Sequence, residues 1–393
     1  MKETVILGYA RTPFARFMGG LHELPAVDLG AAAVEGALER SGVENNAIDY
    51  VILGMVVQAG AGQVPSRQAA VKAGLPFSIP SETINKVCAS GLRAINLADM
   101  MIRAGEADVV IGGGMENMSA VPYYLPSARK GSRMGDSELI DGMIHDGLWC
   151  PFHNVHMGVH GSAVPAENGI TRSEMDRFAL RSHNLAVAAM DKGYFEDEIV
   201  AVDVLQKRGA AVSICRDELP RSDTSLQKLA ALEPAFEKNG LITPGNAPPI
   251  SDGAAALVAA EGGKAEEMQL KPLARIIAHA SVSLEPRYIA TVPYEAAQAA
   301  LVKAGLKAGD MHLIEVNEAF AAVALTCMKL GCWDENKVNV NGGAVALGHP
   351  IGASGARILI TLISELRRRG GGYGLATICS GAAQGEATVI RVD

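Results

Sequence analysis

The feature that most limits what this chain folds into is an internal repeat. Ala89-Ser90-Gly91-Leu92-Arg93 in the first half returns as Ala353-Ser354-Gly355-Ala356-Arg357 in the second. Each string opens a long, mostly apolar stretch of helical periodicity. In the first, Arg93, Asn96, Asp99 and Arg103 form one narrow polar strip, which predicts a helix buried over most of its surface. In the second, Ile358, Leu359, Leu362, Ile363 and Leu366 fill the apolar side, and Gly370-Gly371-Gly372 stops the helix. A short strand candidate follows each, at Asp108 to Ile111 and at Leu375 to Ile378. Upstream, Ala37-Leu38 before Gly42 matches Ala300-Leu301 before Gly305, with strands expected at Tyr50 to Leu53 and Leu313 to Val316. Two such β/α units predict an α/β protein with a pseudo-two-fold axis and helices sandwiched between sheets. Residues 119 to 247 break the pattern and are rich in His, Met, Pro and charged residues. Long insertions in a symmetric scaffold carry substrate contacts, a solvated excursion or an oligomer contact.

Hydrophobic residues make up 49% of the 393 positions, enough for a large core. The net charge of -8, without a block of like charge, argues against nucleic-acid binding, which needs a positive face. Met1-Lys2-Glu3-Thr4 leads straight into Val5-Ile6-Leu7, so no secretory signal is expected, and no apolar run is long enough to cross a bilayer. The six cysteines show no CxxC pairing and read as reduced thiols of a cytosolic protein.

Four residues carry chemistry. Cys88 lies in Asn85-Lys86-Val87-Cys88-Ala89-Ser90-Gly91, where strand gives way to the buried helix. Free backbone amides and the positive helix end there favour a thiolate nucleophile. His349 sits in the corresponding loop of the second repeat, Gly348-His349-Pro350-Ile351-Gly352, placed to deprotonate that thiol. Cys379 ends the second repeat's strand, in Cys379-Ser380-Gly381-Ala382-Ala383, where small residues let a ligand approach the backbone. Asn317, in Asn317-Glu318-Ala319-Phe320-Ala321, offers an amide to an oxyanion. Each alone reads more simply as a buried thiol, a loop histidine or a strand cap. Together they gain weight, because the repeat brings strand ends and helix starts to one place. Gly112-Gly113-Gly114-Met115 lacks the third glycine of a dinucleotide fingerprint, no P-loop string occurs, and no Cys/His cluster or HExxH spacing marks a metal.

These motifs, in this order, resemble those of the thiolases, of the acetyl-CoA acetyltransferase type, over essentially the whole chain. Gln58-Ala59-Gly60, Gly112 to Met118 and Ser251-Asp252-Gly253-Ala254-Ala255 add to the resemblance. It implies a layered α-β-α-β-α sandwich: an N-terminal half of residues 1–118 plus 248–270, an inserted loop domain of 119–247, and a C-terminal half of 271–393. It implies a ping-pong Claisen condensation of two acetyl-CoA to acetoacetyl-CoA, and the reverse thiolysis. Cys88 would carry the acyl group, His349 would activate it, and Cys379 would remove the α-proton. Asn317 with a water and His349 would form one oxyanion hole, and the amides of Cys88 and Gly381 the other. No tightly bound cofactor is implied, only coenzyme A and acyl-CoA substrates, with a homotetramer as dimer of dimers. His156, Met157 and Phe320 are expected near the pantetheine and acyl group, and Ala247 and Arg221 near coenzyme A.

The chain departs from the resemblance in places. His160-Gly161-Ser162-Ala163 stands where relatives read Thr-Ala-Glu-Asn, and Pro248 replaces a serine after Gly245-Asn246-Ala247. Ile289-Ala290-Thr291-Val292-Pro293 and Ser380-Gly381-Ala382-Ala383 also differ. The competing readings are a thiolase of longer chain range and a non-catalytic coenzyme A-binding scaffold. A decarboxylating ketosynthase would want a histidine in place of Cys379.

Overall fold

The computed structural model describes residues 2–205 and 209–393. Its main strands are β1 (Thr4–Arg11), β2 (Tyr50–Gly54), β3 (Ser81–Ile84), β4 (Val109–Asn117), β5 (Ser251–Glu261), β6 (Ala274–Ser283), β7 (Leu313–Val316), β8 (Gly372–Ser380) and β9 (Gln384–Val392). They run in the order β7-β8-β9-β6-β1-β5-β4-β2-β3. The order reads the same outward from the β6/β1 junction. On either side come two antiparallel neighbours and then a parallel one: β1-β5-β4-β2 and β6-β9-β8-β7. Among the described residues the halves meet edge to edge where Thr4–Ile6 pairs with Ala274–Ile276.

The main helices are α1 (Ala26–Ser41), α2 (Pro65–Lys72), α3 (Ser90–Ala104), α4 (Met157–Glu167), α5 (Arg172–Asp191), α6 (Val292–Ala304), α7 (Ala321–Gly331) and α8 (Ser354–Arg368). Strand alternation sorts them into layers. Val5, Leu7, Val109 and Ile111 face an outer core with residues of α1 and α2. Ile6, Val110, Leu257 and Ile390 face a central core filled by Leu92 and Ile95 of α3 and Leu359 and Ile363 of α8. α6 and α7 close the far side around Ala296, Val323 and Val389. Strands covered on both faces are therefore rich in apolar residues, and the result is the α-β-α-β-α sandwich expected from the sequence.

The middle of the polar strip of α3, Asn96 and Asp99, is buried too, while Arg93 and Arg103 stay partly exposed. Asn96 donates to Glu386 Oε1 at 2.8 Å and accepts from Thr388 Oγ1 at 2.7 Å, while Asp99 pairs with Arg103. Asn96 thereby stitches α3 to β9. Residues 119–247 likewise lean on both halves. Met175 and Phe178 of α5 join the C-terminal core, and Val202 and Val204 join the N-terminal one.

Candidate active site

Past β3, Asn85 accepts from the Val87 amide at 2.9 Å, and Ser90 Oγ donates to the Val87 carbonyl at 2.6 Å. These bonds hold Val87 at φ +45°, a left-handed conformation that a β-branched residue adopts only under constraint. The kink sets Cys88 at the start of α3, with its own N–H and that of Gly381 directed at Sγ. The sequence argument expects a thiolate here. Burial instead pushes the thiol up to about 12, against those two amides, with the nearby Glu116 carboxyl adding to the rise. In the free protein Cys88 is a thiol that needs a base.

His349 supplies one. Burial, and then the charge of Arg357, lower its imidazole to about 3, so it is neutral. Its Nδ1 lies 2.6 Å from Ser354 Oγ, which donates its proton to the Pro350 carbonyl at 2.9 Å. The hydroxyl can then only accept from the ring, which assigns the proton to Nδ1 and leaves Nε2 basic. Asn317 Nδ2 sits 3.4 Å from that Nε2, consistent with the assignment. The loop reaches this position through Gly348 at φ +95°, where a Cβ would fall 2.4 Å from both Leu219 Cδ1 and Ser251 Oγ.

Asn317 follows β7, fully buried, and its Oδ1 has no protein partner. Cys379 is fully buried near the end of β8, opposite Gly385. Its thiol is held well above the ordinary range by burial first, then by charge on Cys88 and Cys327.

Cys88, His349 and Gly381 share a cleft of about 160 Å³ with His156, Met157, Phe320 and Ala247. His156 stacks on Phe236 with ring centroids 4.2 Å apart, and Phe236 meets Phe320 edge-on at 6.4 Å. Gly158 and Gly161 of α4 are needed here, since a Cβ would lie 2.0 Å from the Phe236 ring and 2.8 Å from that of Phe320. Pro248, at the departure from the family pattern, lines the wall beside Ala247. Arg221 is not in this cleft. It borders an adjoining groove with Arg16, Phe17, Glu218 and Asp223, which meets the cleft at Pro249 and Ile250.

The sequence reading missed Phe236, Ile250 and Ile351 in the walls, where isolated apolar residues carry no signal. It also missed the role of Glu116, although Gly112 to Met118 drew attention. Glu116 is fully buried and accepts from Val56 N at 2.9 Å, Val57 N at 3.1 Å and Gly352 N at 3.0 Å, tying the N-terminal half to the His349 loop. The fold gathers Cys150, His153 and His160, whose ligand atoms lie within 4.8 Å of one another.

The thiolase N-terminal domain model matches residues 4–262 and the thiolase C-terminal domain model residues 270–392. The chain is similar to the acetyl-CoA acetyltransferase of Pseudomonas aeruginosa, 47% identical over 393 residues covering 100% of both. That of Cupriavidus necator is 47% identical over 391 residues, again covering 100% of both. The crystal structure of the Bacillus anthracis acetyl-CoA acetyltransferase superposes with a TM-score of 0.98 at 40% identity, covering 100% of this chain and 99% of that one.

Proposed function

Because the chain belongs to the thiolase family, we propose that it is an acetyl-CoA C-acetyltransferase working through an acyl-Cys88 intermediate. The observation that carries this reading is the meeting of Cys88, a neutral His349 and the Gly381 amide in one cleft.

His349 Nε2 takes the Cys88 proton as Sγ attacks the thioester carbonyl of the first acetyl-CoA. The tetrahedral oxyanion falls to the Cys88 and Gly381 amides. Coenzyme A leaves as its thiol, carrying the proton from His349. Cys379, once its own thiol proton has passed to the neutral His349, takes an α-proton from the second acetyl-CoA. The enolate oxygen is held by the His349 side and by a water on Asn317, whose free Oδ1 is suited to that water. Enolate carbon attacks the acetyl-enzyme, and Cys88 departs with acetoacetyl-CoA formed, regaining its proton from His349. Thiolysis runs these steps backward. No tightly bound cofactor enters the cycle; coenzyme A and its thioesters are the substrates.

The small size of the cleft, about 160 Å³, supports a two-carbon acyl group over longer chains. Arg221 and Arg16, in the adjoining groove, suit the phosphates of coenzyme A. Tyr123, Leu125, Met134 and Leu139 are exposed apolar residues on one stretch of the inserted segment, which supports tetramer contacts there. No helix among the described residues is long and apolar enough to cross a membrane, in keeping with a cytoplasmic enzyme of fatty acid metabolism.

The test is thiolysis of acetoacetyl-CoA by coenzyme A, with wild type and Cys88→Ala, beside a longer 3-ketoacyl-CoA. Turnover that disappears in Cys88→Ala and falls with chain length is expected. A folded wild type inactive on both substrates leaves the scaffold reading in its place.

A further inference from the structure

His160 lies in a segment where the chain departs from its family, and it does not face the cleft that His156 and Met157 line. Two short strands, Trp149–Cys150 and Val155–His156, form a hairpin that leads directly into α4. The hairpin turns Cys150 inward, fully buried, and one helical turn after His156 the buried His160 comes to meet it. His153, at the exposed tip, completes the group. Its Nδ1 stands 3.2 Å from His160 Nε2.

We propose that Cys150, His153 and His160 bind a divalent, borderline-soft transition metal, with Zn²⁺ the natural occupant. One thiolate and two imidazoles suit that ion, whereas Ca²⁺ and Mg²⁺ take oxygen ligands. Two Zn–N bonds of about 2.1 Å at a tetrahedral angle separate their nitrogens by about 3.4 Å, close to the spacing of the two rings. The contact between the rings needs one proton, on His160 Nε2 or His153 Nδ1. On metal binding the Cys150 thiol proton is released to solvent, while the ring proton of that contact moves to the outer nitrogen of its own imidazole. The outer ring nitrogen, His153 Nε2, lies 3.0 Å from Glu285 Oε1. A carboxylate on the far side of a ligating imidazole fixes its tautomer and raises its basicity. Three protein ligands leave a fourth position for water.

The consequence is mechanical. Glu285 precedes the turn Pro286–Ala290, whose Ile289 lines the acyl cleft, and the hairpin and α4 contribute His156 and Met157 to the same cleft, with Leu148 just ahead of the hairpin. The ion would clamp three segments of one wall from behind. This inference stands on the cluster alone and does not depend on the catalytic reading.

Full-length protein stripped with a chelator and titrated with Co²⁺ tests it. One equivalent should produce a thiolate-to-cobalt charge-transfer band with intense tetrahedral d–d absorption, and one equivalent of Zn²⁺ should displace it. Cys150→Ser should lack the charge-transfer band. His153→Ala, altering an exposed side chain, should keep its fold and bind Zn²⁺ at least about tenfold more weakly. Absence of the band in wild type, its retention in Cys150→Ser, or unchanged affinity in His153→Ala overturns the proposal. Should Cys150→Ser fail to fold, the His153→Ala titration decides.

Discussion

Gly355 packs so closely on Leu92 that a Cβ there would lie 2.4 Å from the Leu92 backbone nitrogen. The reciprocal contact holds as well, since a Cβ on Gly91 would lie 2.8 Å from Ala356 N. The two repeat strings are thus opposite sides of one helix crossing, and the loops that carry Cys88 and His349 are delivered by it. Gly355→Ala must push α3 and α8 apart, because the clash is with backbone and no side chain can swing away. The expected cost is on the order of 1–3 kcal/mol or more, of the size seen for overpacked cores. Urea denaturation reads it, and a midpoint equal to wild type would contradict the crossing.

The layered fold was legible because each of its signals is local. The apolar runs, the Ala-Ser-Gly strings and the glycine stops each sit within a dozen residues of chain. Cys88, His349, Asn317 and Cys379 stood out for the same reason, each at a strand end or helix start. What the sequence concealed is long-range. Phe236 reaches His156 across a fold that no spacing announces. Arg221 lies in a neighbouring groove because the chain around it packs on Arg16 and Glu218 rather than on the cleft. The thiolate expected at Cys88 failed because burial outweighs two amide donors, and burial is a property of the whole core. Cys150, His153 and His160 escaped notice because their spacing matches no familiar metal motif.

Ser354 acts on catalysis only through His349. Its hydroxyl accepts from Nδ1 and donates to Pro350, which keeps Nε2 unprotonated. Ser354→Ala frees the ring to adopt the other tautomer, which presents N–H to Cys88 instead of a lone pair. Acyl transfer should fall roughly 10- to 100-fold, within the share that general-base catalysis supplies. KM for acetoacetyl-CoA should hold, and Ser354→Thr should restore part of the rate. Pre-steady-state acetylation of Cys88 measures this, and an unaltered rate in Ser354→Ala would remove the tautomer argument.

Glu116 accepts three backbone N–H bonds from two loops, a task only a carboxyl group with four lone-pair sites performs fully. Glu116→Gln has nearly the same shape but turns an NH₂ toward at least one of those donors. Two donors facing each other in a buried site should cost ~1–3 kcal/mol. Burial pushes Glu116 up to about 7 from 4.5. Its raised value opposes folding as pH climbs from 4.5 to 7, while the unfolded chain ionises freely. Denaturation at the two ends of that window should show the Gln variant closer to wild type at the upper end. A constant difference would contradict the assignment.

His349 and Cys88 move in opposite directions from their ordinary values, and both shifts keep the pair uncharged. His349 falls from 6.5 to about 3. The unfolded chain therefore binds the extra proton first, and this stabilisation is complete above 6.5 and lost as pH drops toward 3. Cys88 rises from 9.0 to about 12, so its contribution is complete below 9.0 and lost as pH climbs toward 12. Between these limits the resting site does not titrate. The rate of acetyl-enzyme formation should accordingly stay level from about pH 5 to about pH 8, with no inflection at the ordinary imidazole value. His349→Asn should lose less stability than wild type when acidified from about pH 7 to about pH 4, since it lacks the group that gains a proton on unfolding. Rapid-quench acetylation and urea midpoints at the two pH values measure both effects. An inflection near 6.5 in the rate, with equal acid sensitivity of the two proteins, would mean that His349 is solvated and not the buried neutral base described above.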